Sequence, residues 1–375
     1  MECPSFLRLK AAAQQPFDLT AETAVSQERL ERFSASGGSY KLIYALERLD
    51  ENVLNALFQL AEERGALEKM ARQQAGEKVN TFENRMVLHT AMRDFFSEKN
   101  PANEAQLAAG LAFVELEKLK SFQKKHQGRF DYLIHIGIGG SQLGPEMVFE
   151  ALKLYSRETI KPFFLGNLDP DEVFSILKLV DLKRTLIAVV SKSGSTMETK
   201  VNELMVREAL KKAGLNPAEQ IVSITTPGSL MDDPKRYLEV FYFWDYVGGR
   251  FSVTSMAGAF SLGLSLGFEL FFEFLKGASR MDKLALKKDQ SNLPLLLALL
   301  GIWKRNFLKL PTLAVVPYCS SLKKFCLYLQ QVEMESNGKS VDLKQKALAF
   351  SSAPFVFGDS GSNAQHSFFQ MLHQG

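Results

Sequence analysis

The stretch TLIAVVSKSGSTMET at 185–199 joins a six-residue apolar run to a loop of hydroxyl side chains. So short and so apolar a run is typical of a strand buried on both faces, which favours a parallel sheet. Ser195 and Glu198 fit a capping box, so the sequence predicts that a helix begins directly after the loop. The loop itself consists of small polar residues and one lysine, at Ser191, Lys192, Ser193, Gly194, Ser195 and Thr196.

This order of strand, loop and helix is suited to holding a phosphate group. The hydroxyl groups donate hydrogen bonds, Lys192 adds a positive charge, and Gly194 has no Cβ to obstruct a close approach of the backbone. The free N–H groups and the dipole at a helix N-terminus also favour an anion. An ordinary capped helix after a buried strand explains the same pattern, and the loop alone does not decide between the two.

The composition favours a small-molecule substrate. The chain has 375 residues, 46% of them hydrophobic, with 45 Lys and Arg against 42 Asp and Glu. A prior of roughly 100–200 residues per domain gives two or three domains. Because the positive and negative charges nearly balance, the composition does not favour nucleic acid as a partner. The apolar stretch at 293–303 is shorter than the ~20 residues that cross a bilayer, and the N-terminus has no signal-peptide core, so we expect no membrane partner and a cytoplasmic location.

The cysteines and histidines do not predict a metal site. The three cysteines, Cys3, Cys319 and Cys326, are not expected to form a disulfide in a long chain without a secretory signal. No neighbouring ligand completes a metal set around them, and the five histidines have no metal-ligand spacing. His135 in a predicted strand and His89 in a predicted helix are interpreted as hydrogen-bonded core histidines.

Short apolar runs alternate with helical patterns through the middle of the chain. Alternation of this kind predicts an α/β fold with a doubly wound parallel sheet. Apolar positions at helical spacing over 41–75 and 84–123 predict that the N-terminal third is all-helical. The predicted strands lie at 132–140, 162–166, 185–191, 221–225 and 240–244, and the predicted helices near 144–154, 171–180 and 196–213.

A second set of elements begins with the apolar run at 312–318, which precedes a predicted helix to about residue 336. We therefore expect a helical N-terminal region at 1–123 and a first α/β domain with the phosphate loop at 124–275. Residues 276–375 are expected to hold connecting helices and the start of a second α/β domain.

The first strand ends in GIGGSQLGP at 137–145, a glycine-rich turn. A dinucleotide fingerprint needs glycine at its sixth place, where this chain has Gln142, and no Walker sequence is present. A nucleotide cofactor is therefore disfavoured. Gly140 and Ser141 are predicted instead to lie against the polar body of a small ligand at the carboxyl ends of the strands.

Together the glycine turn and the hydroxyl loop resemble the sugar isomerase domain, and four further motifs narrow the resemblance to the glucose-6-phosphate isomerase family. The resemblance implies two sugar isomerase-type domains, a sugar-phosphate substrate, no cofactor, and the reversible aldose–ketose isomerisation of glycolysis and gluconeogenesis. The four motifs are NTFENRMVLHTAMR at 80–93, VGGRFSVTS at 247–255, MESNGKS at 334–340 and GSNAQHSFFQMLHQG at 361–375.

The chemistry of such an isomerisation needs a base, a cation for oxyanion charge and a group that opens the sugar ring. By resemblance Glu335 is the base, Arg250 stabilises the enediolate, and Gln331 contacts the substrate. Glu335 lies at the end of a predicted helix, where the dipole raises the pKa of a carboxyl group and so its basicity. By resemblance His366 opens the ring and is supplied across a homodimer interface.

Members of the family normally continue well past the final HQG and supply a further active-site lysine. We therefore expect a truncated or cleaved form of a longer enzyme, with weak or absent turnover. The loop Ser193-Gly194-Ser195 is also closer to the general sugar isomerase pattern than to that of the family. Two other functions remain open: a non-catalytic sugar-phosphate sensor of the same fold, and a nucleotide-dependent oxidoreductase, which the broken glycine spacing disfavours.

Overall fold

The computed structural model describes residues 3–22, 24–95, 103–157 and 160–375. It divides into two compact units that interleave along the chain, whereas the sequence predicts three consecutive segments. The first unit comprises Met1–Met86, Gly277–Leu313 and Gly338–Phe355, and the second comprises Val87–Lys276, Ala314–Asn337 and Val356–Gly375. Among the described residues, no helix is both long and apolar enough to cross a membrane.

The elements are numbered here in chain order. The helices are α1 (Pro4–Ala12), α2 (Gln27–Arg32), α3 (Glu51–Glu63), α4 (Ala66–Ala75), α5 (Glu104–Lys125), α6 (Leu143–Leu152), α7 (Pro170–Leu177), α8 (Met197–Lys212), α9 (Met256–Leu266), α10 (Phe268–Leu284), α11 (Leu293–Ile302), α12 (Phe325–Leu329), α13 (Gly361–Gln365) and α14 (Phe369–Gln374). The strands are β1 (Ser34–Gly37), β2 (Tyr40–Ile43), β3 (Tyr132–Ile136), β4 (Lys161–Leu165), β5 (Thr185–Val190), β6 (Ile221–Thr225), β7 (Glu239–Tyr242), β8 (Thr312–Ala314) and β9 (Phe355–Phe357).

The first unit packs helices around a core that includes the fully buried Trp303. Its indole Nε1 donates a hydrogen bond of 3.0 Å to the carbonyl of Arg48. The prediction of an all-helical N-terminal third is wrong here, because β1 and β2 form an antiparallel hairpin and α3 begins only at Glu51. Gly38, at φ +60°, supplies the left-handed conformation that the two-residue turn needs.

The second unit contains a five-stranded parallel sheet in the order β4-β3-β5-β6-β7. Its strands fall within the runs predicted from the sequence or within one residue of them, which confirms the expected α/β fold. All six residues of β5 are buried, as expected for a strand covered on both faces. Val206 and Leu210 of α8 belong to the core cluster that covers one side of the sheet.

The strand order identifies where this sheet can bind a ligand. After β3 the chain leads to β4, which pairs with one edge of β3. It then crosses to β5, which pairs with the other edge of β3. A crevice forms at the carboxyl ends of two strands where the order reverses in this way. The glycine turn follows β3 and the hydroxyl loop follows β5, so both predicted ligand-binding segments border that crevice.

Beyond α11 the helical elements are short. A π-helical segment spans Gln330–Glu335 directly after α12, within the region predicted as one helix to about 336. β8 and β9 form a separate two-stranded sheet. Tyr318 and Met371, which both belong to the second unit, are 68% and 71% exposed.

Candidate functional site

The hydroxyl loop is organised by hydrogen bonds among its own residues. The Oγ of Ser191 lies 3.0 Å from the Oγ1 of Thr196 and accepts a 3.1 Å hydrogen bond from the N–H of Gly194. The Oγ of Ser193 accepts a hydrogen bond from the Ser195 hydroxyl at 2.8 Å. Gly194 adopts φ +67°, a conformation that strongly favours glycine. The loop is therefore held in shape before any ligand arrives.

The predicted capping box is wrong. Helix α8 begins at Met197 with Thr196 as its N-cap residue, and no side chain caps it. Ser195 lies one residue before the N-cap position, and its hydroxyl donates to Ser193 within the loop. Among the residues that the structure describes, the N–H groups of the first turn of α8 have no side-chain acceptor, which leaves them suited to an anion.

Lys192 joins the hydroxyl loop to the segment that precedes the predicted catalytic arginine. Its Nζ donates hydrogen bonds to the carbonyl oxygens of Asp245 and Val247, at 3.2 and 3.4 Å. Gly248, Gly249 and Arg250 follow directly. The ammonium group of Lys192 therefore connects the hydroxyl loop to the segment at Asp245 and Val247. Its contact with phosphate stays a prediction.

The glycine turn after β3 fits tightly against the arginine segment, a 3₁₀ helix at Gly249–Thr254. A Cβ placed on Gly140 would lie 2.0 Å from the carbonyl oxygen of Gly249 and 2.7 Å from the nitrogen of Arg250. The Oγ of Ser252 also donates a 3.3 Å hydrogen bond to the carbonyl of Gly140. Glycine at 140 is thus required by space, and the turn sets the position of the main chain that carries Arg250.

His135, a residue of β3, supports the glycine turn through a hydrogen bond. Its side chain is fully buried, with Nε2 2.6 Å from the carbonyl oxygen of Ser141 and Nδ1 2.6 Å from the hydroxyl of Ser261. A carbonyl only accepts, so these partners assign the proton to Nε2, and Nδ1 accepts from Ser261. Burial lowers the pKa of His135 to about 4. The interpretation of His135 as a hydrogen-bonded core histidine is confirmed.

The main chain of Arg250 has a further contact that the sequence did not indicate. The hydroxyl of Tyr328, in α12, donates a 3.1 Å hydrogen bond to the carbonyl of Arg250. Burial raises the pKa of Tyr328, so the phenol keeps its proton and stays a donor. The two residues are 78 positions apart, and no local pattern around Tyr328 signals this contact.

Gln331 and Glu335 lie on the π-helical segment, which contacts the arginine segment. The Nε2 of Gln331 approaches Gly139 so closely that a Cβ there would lie 2.9 Å from it. The Oε1 of Gln331 is buried and has no hydrogen-bond partner among the described residues. Glu335 is exposed. In a π-helical turn the residue one turn after Gln331 is five positions later, at Ser336, and not four positions later, at Glu335. The Oγ of Ser336 accordingly donates a hydrogen bond to the carbonyl of Gln331.

His366 ends α13 and its side chain is exposed. None of the contacts described above involves it. The structure therefore brings together the glycine turn, the hydroxyl loop, the arginine segment and Gln331 within the second unit, and leaves His366 on the surface of that unit.

Comparisons with known proteins show which sequences this chain resembles. The sequence profile of the family described as phosphoglucose isomerase matches residues 43–375. A glucose-6-phosphate isomerase from Protochlamydia amoebophila is 48% identical over 98% of this chain and 70% of its own length. Another from Chlamydia muridarum is 46% identical over 100% of this chain and 73% of its own length.

Solved structures show the same relationship. The crystal structure of a glucose-6-phosphate isomerase from Chlamydia trachomatis superposes with a TM-score of 0.97 at 44% identity, covering 100% of this chain and 74% of that one. A hypothetical protein from Thermus thermophilus gives a TM-score of 0.65 at 25% identity, over 88% of this chain and 72% of its own.

Proposed function

The chain belongs to the phosphoglucose isomerase family, and from this premise we propose which of its residues carry out the reversible isomerisation of glucose 6-phosphate and fructose 6-phosphate. The observation that supports the assignment is the meeting of the glycine turn, the hydroxyl loop and the arginine segment at one reversal of strand order. The reaction opens a sugar ring and moves a proton between C1 and C2 through an enediol. One pocket must therefore anchor the phosphate and present a base and a cation to the other end of the substrate.

The hydroxyl loop binds the phosphate. Ser191 and Thr196 have hydroxyl oxygens 3.0 Å apart, close enough to donate to one phosphate group, and Ser193 and Lys192 add a donor and a charge. The N-terminus of α8 contributes its unpaired N–H groups and dipole. Gly140 and Ser141 lie at the neighbouring strand end and contact the sugar.

Glu335 moves the proton between C1 and C2, and Arg250 stabilises the negative charge of the enediolate. A guanidinium group suits that role because it is permanently charged and planar. Gln331 orients the substrate, since its buried Oε1, which has no hydrogen-bond partner in the described part of the chain, needs a donor and a sugar hydroxyl provides one. Glu335 thus transfers the proton, and Arg250 stabilises the negative charge that develops on the substrate.

His366 donates a proton to the ring oxygen when the ring opens. An imidazole is suited to this step because its ordinary pKa lies near neutrality. We place His366 in the active site of a second copy, because its side chain is exposed and outside the contacts that assemble the rest of the site. The functional protein is then a homodimer, which we place in the cytoplasm.

Deuterium incorporation tests the role of Glu335. Glucose 6-phosphate formed from fructose 6-phosphate in D₂O acquires deuterium at C2 if a base exchanges its proton with solvent, and NMR measures this directly. We expect Glu335→Gln to lower the exchange rate by about 10²–10⁴-fold with sugar-phosphate affinity kept. Glu333→Gln, on the same π-helical segment, is the matched control, because Glu333 accepts a hydrogen bond from Asn337 and has no assigned role.

The same measurement separates the alternatives. A non-catalytic sensor binds the sugar phosphate without any deuterium incorporation in the wild-type protein. Exchange that survives in Glu335→Gln at the wild-type rate excludes Glu335 as the base. Equal losses in both glutamate variants indicate disruption of the segment and also reject the assignment.

A further inference from the structure

The segment Leu88–Arg93 lies in a motif to which no step of the reaction has yet been assigned. Its start is fixed by a 3.0 Å hydrogen bond from the N–H of Leu88 to the carbonyl of Tyr246. A 3₁₀ helix, Thr90–Arg93, follows, and its first three residues are buried. His89 precedes that helix, and its Nδ1 is buried with no hydrogen-bond partner among the described residues. The interpretation of His89 as a hydrogen-bonded histidine inside a helix is therefore wrong.

The contact that His89 does make is an aromatic stack. Its imidazole lies on the ring of Phe251, with the ring centroids 4.4 Å apart and the planes inclined by 21°. Phe251 is the residue next to Arg250, and its N–H is bonded to the carbonyl of Gly248 at 3.0 Å. The stacked ring is therefore attached to the main chain directly beside the arginine, in a turn that is itself hydrogen-bonded.

The imidazole of His89 is neutral at physiological pH. Burial, and then the positive charge of Arg93, lower its pKa to about 3. A neutral ring adds no further positive charge beside Arg250, and its face is available for stacking. The positive charge of Arg93 also acts to lower the pKa of Tyr328, against the larger effect of burial. Arg93 therefore lies near both His89 and Tyr328.

We propose that His89 is a positioning residue for Arg250, acting through the stack on Phe251 and not through its ring nitrogens. The arginine segment is then held on three sides: by the glycine turn at Gly140, by the hydroxyl of Tyr328 and by the His89 ring. The inference rests on the proposed role of Arg250 in stabilising enediolate charge. It assigns a function to the conspicuous histidine of the NTFENRMVLHTAMR motif.

Two ligands report on the position of Arg250 without requiring turnover. 6-Phosphogluconate carries a carboxylate at C1, and sorbitol 6-phosphate carries an uncharged hydroxyl group there, with the same phosphate at the other end. The ratio of their dissociation constants, measured by calorimetry, isolates the interaction with charge at C1. We expect Arg250→Ala to reduce this preference by about 10–100-fold, as for loss of a charge-assisted hydrogen-bonded pair.

The histidine variants then test how Arg250 is positioned. We expect His89→Ala and His89→Gln to reduce the preference by about tenfold, since both remove the ring. We expect His89→Phe to restore it to within about twofold, because the stack is kept and only the nitrogens are lost. His126→Ala is the matched control: that histidine also packs on a phenylalanine, Phe122 of α5, with ring centroids 4.5 Å apart, and Phe122 is not part of the arginine segment.

Each other result rejects the inference in a distinguishable way. A His89→Phe variant as impaired as His89→Ala shows that a nitrogen is needed. If His89→Ala lowers the affinity for both ligands equally, His89 has a role in stability alone. If Arg250→Ala keeps the preference, the role of Arg250 fails and the inference with it, whereas a loss confined to Arg250→Ala rejects only the positioning by His89.

Discussion

Gly140→Ala tests whether the glycine turn sets the position of Arg250. The added Cβ would lie 2.0 Å from the carbonyl oxygen of Gly249, and ordinary van der Waals contact begins at 3.4 Å. The two main-chain segments must therefore separate by about 1.4 Å, because backbone atoms cannot rotate away as a flexible side chain can. Gly140 does not have a positive φ, so the variant introduces a steric effect without backbone strain.

The expected effect on catalysis is large and the effect on stability moderate. A displacement of about 1 Å in a catalytic group costs roughly 100-fold in rate, so we expect kcat/KM to fall by about two orders of magnitude. Overpacking of this kind lowers the free energy of unfolding by about 1–3 kcal/mol, a fraction of the about 5–15 kcal/mol typical of folded proteins. Steady-state isomerisation of fructose 6-phosphate and urea unfolding measure the two quantities.

Gly110→Ala is the matched control. Gly110 lies in α5 and is exposed, and no described residue has an atom within 4 Å of the position of an added Cβ. We expect unchanged kcat/KM and a gain of about 0.5–1 kcal/mol in the free energy of unfolding, since alanine is the better helix former. Wild-type kcat/KM in Gly140→Ala refutes the argument that this close approach positions the arginine.

Three further predictions follow from other contacts. Ser191→Ala combined with Thr196→Ala should raise KM more than it lowers kcat, because these hydroxyls contact a phosphate that does not react; an unchanged KM in steady-state kinetics counts against the loop. Burial lowers the pKa of His135 to about 4, so the unfolded chain takes up a proton below about pH 6.5 that the folded protein does not. The free energy of unfolding should fall by up to about 1.4 kcal/mol per pH unit from that protonation between pH 6.5 and 4, and His135→Gln should show a shallower pH dependence in urea titrations than the wild type. Trp303→Phe removes the hydrogen bond to the carbonyl of Arg48 and should lower the free energy of unfolding by about 1–3 kcal/mol, whereas an unchanged urea midpoint would show that this bond contributes nothing net.

The parallel sheet was the most predictable part of the molecule. β6 coincides with its predicted range at 221–225, and β5 differs by one residue from the range 185–191. Strands buried on both faces are uninterrupted apolar runs, so their sequence alone marks them. The positions of the glycine turn and hydroxyl loop followed from the same rule, because both come directly after such strands.

Structure that depends on distant residues was not predictable. The hairpin of β1 and β2 consists largely of small, polar and aromatic residues without a clear alternation, and a Cβ on its Gly37 would lie 2.4 Å from the carbonyl of Ser291. Packing against a segment some 250 positions away leaves no local signal. The π-helical turn at Gln331 likewise escapes a periodicity analysis that assumes 3.6 residues per turn.

The motifs supply the residues proposed for the site, but the contacts that support these residues could not be predicted. Glu335, Arg250 and the hydroxyl loop were assigned from motifs, and their roles stay proposals. The contact of Tyr328 with Arg250 and the stack of His89 on Phe251 join segments 78 and more positions apart. Such contacts arise from tertiary packing, which no short window of sequence contains.

The interleaving of the two units determines the order in which the protein can mature during synthesis. The indole of Trp303 joins a residue 255 positions earlier, and ribosomes add about 5–20 residues per second, so the opening helices wait about 13–50 s for their partner. The strands from Tyr132 to Tyr242 emerge before that partner does. The strands of the parallel sheet are therefore available for pairing before the opening helices meet the residue on which they pack, so the first segments to leave the ribosome are not the first that can pack.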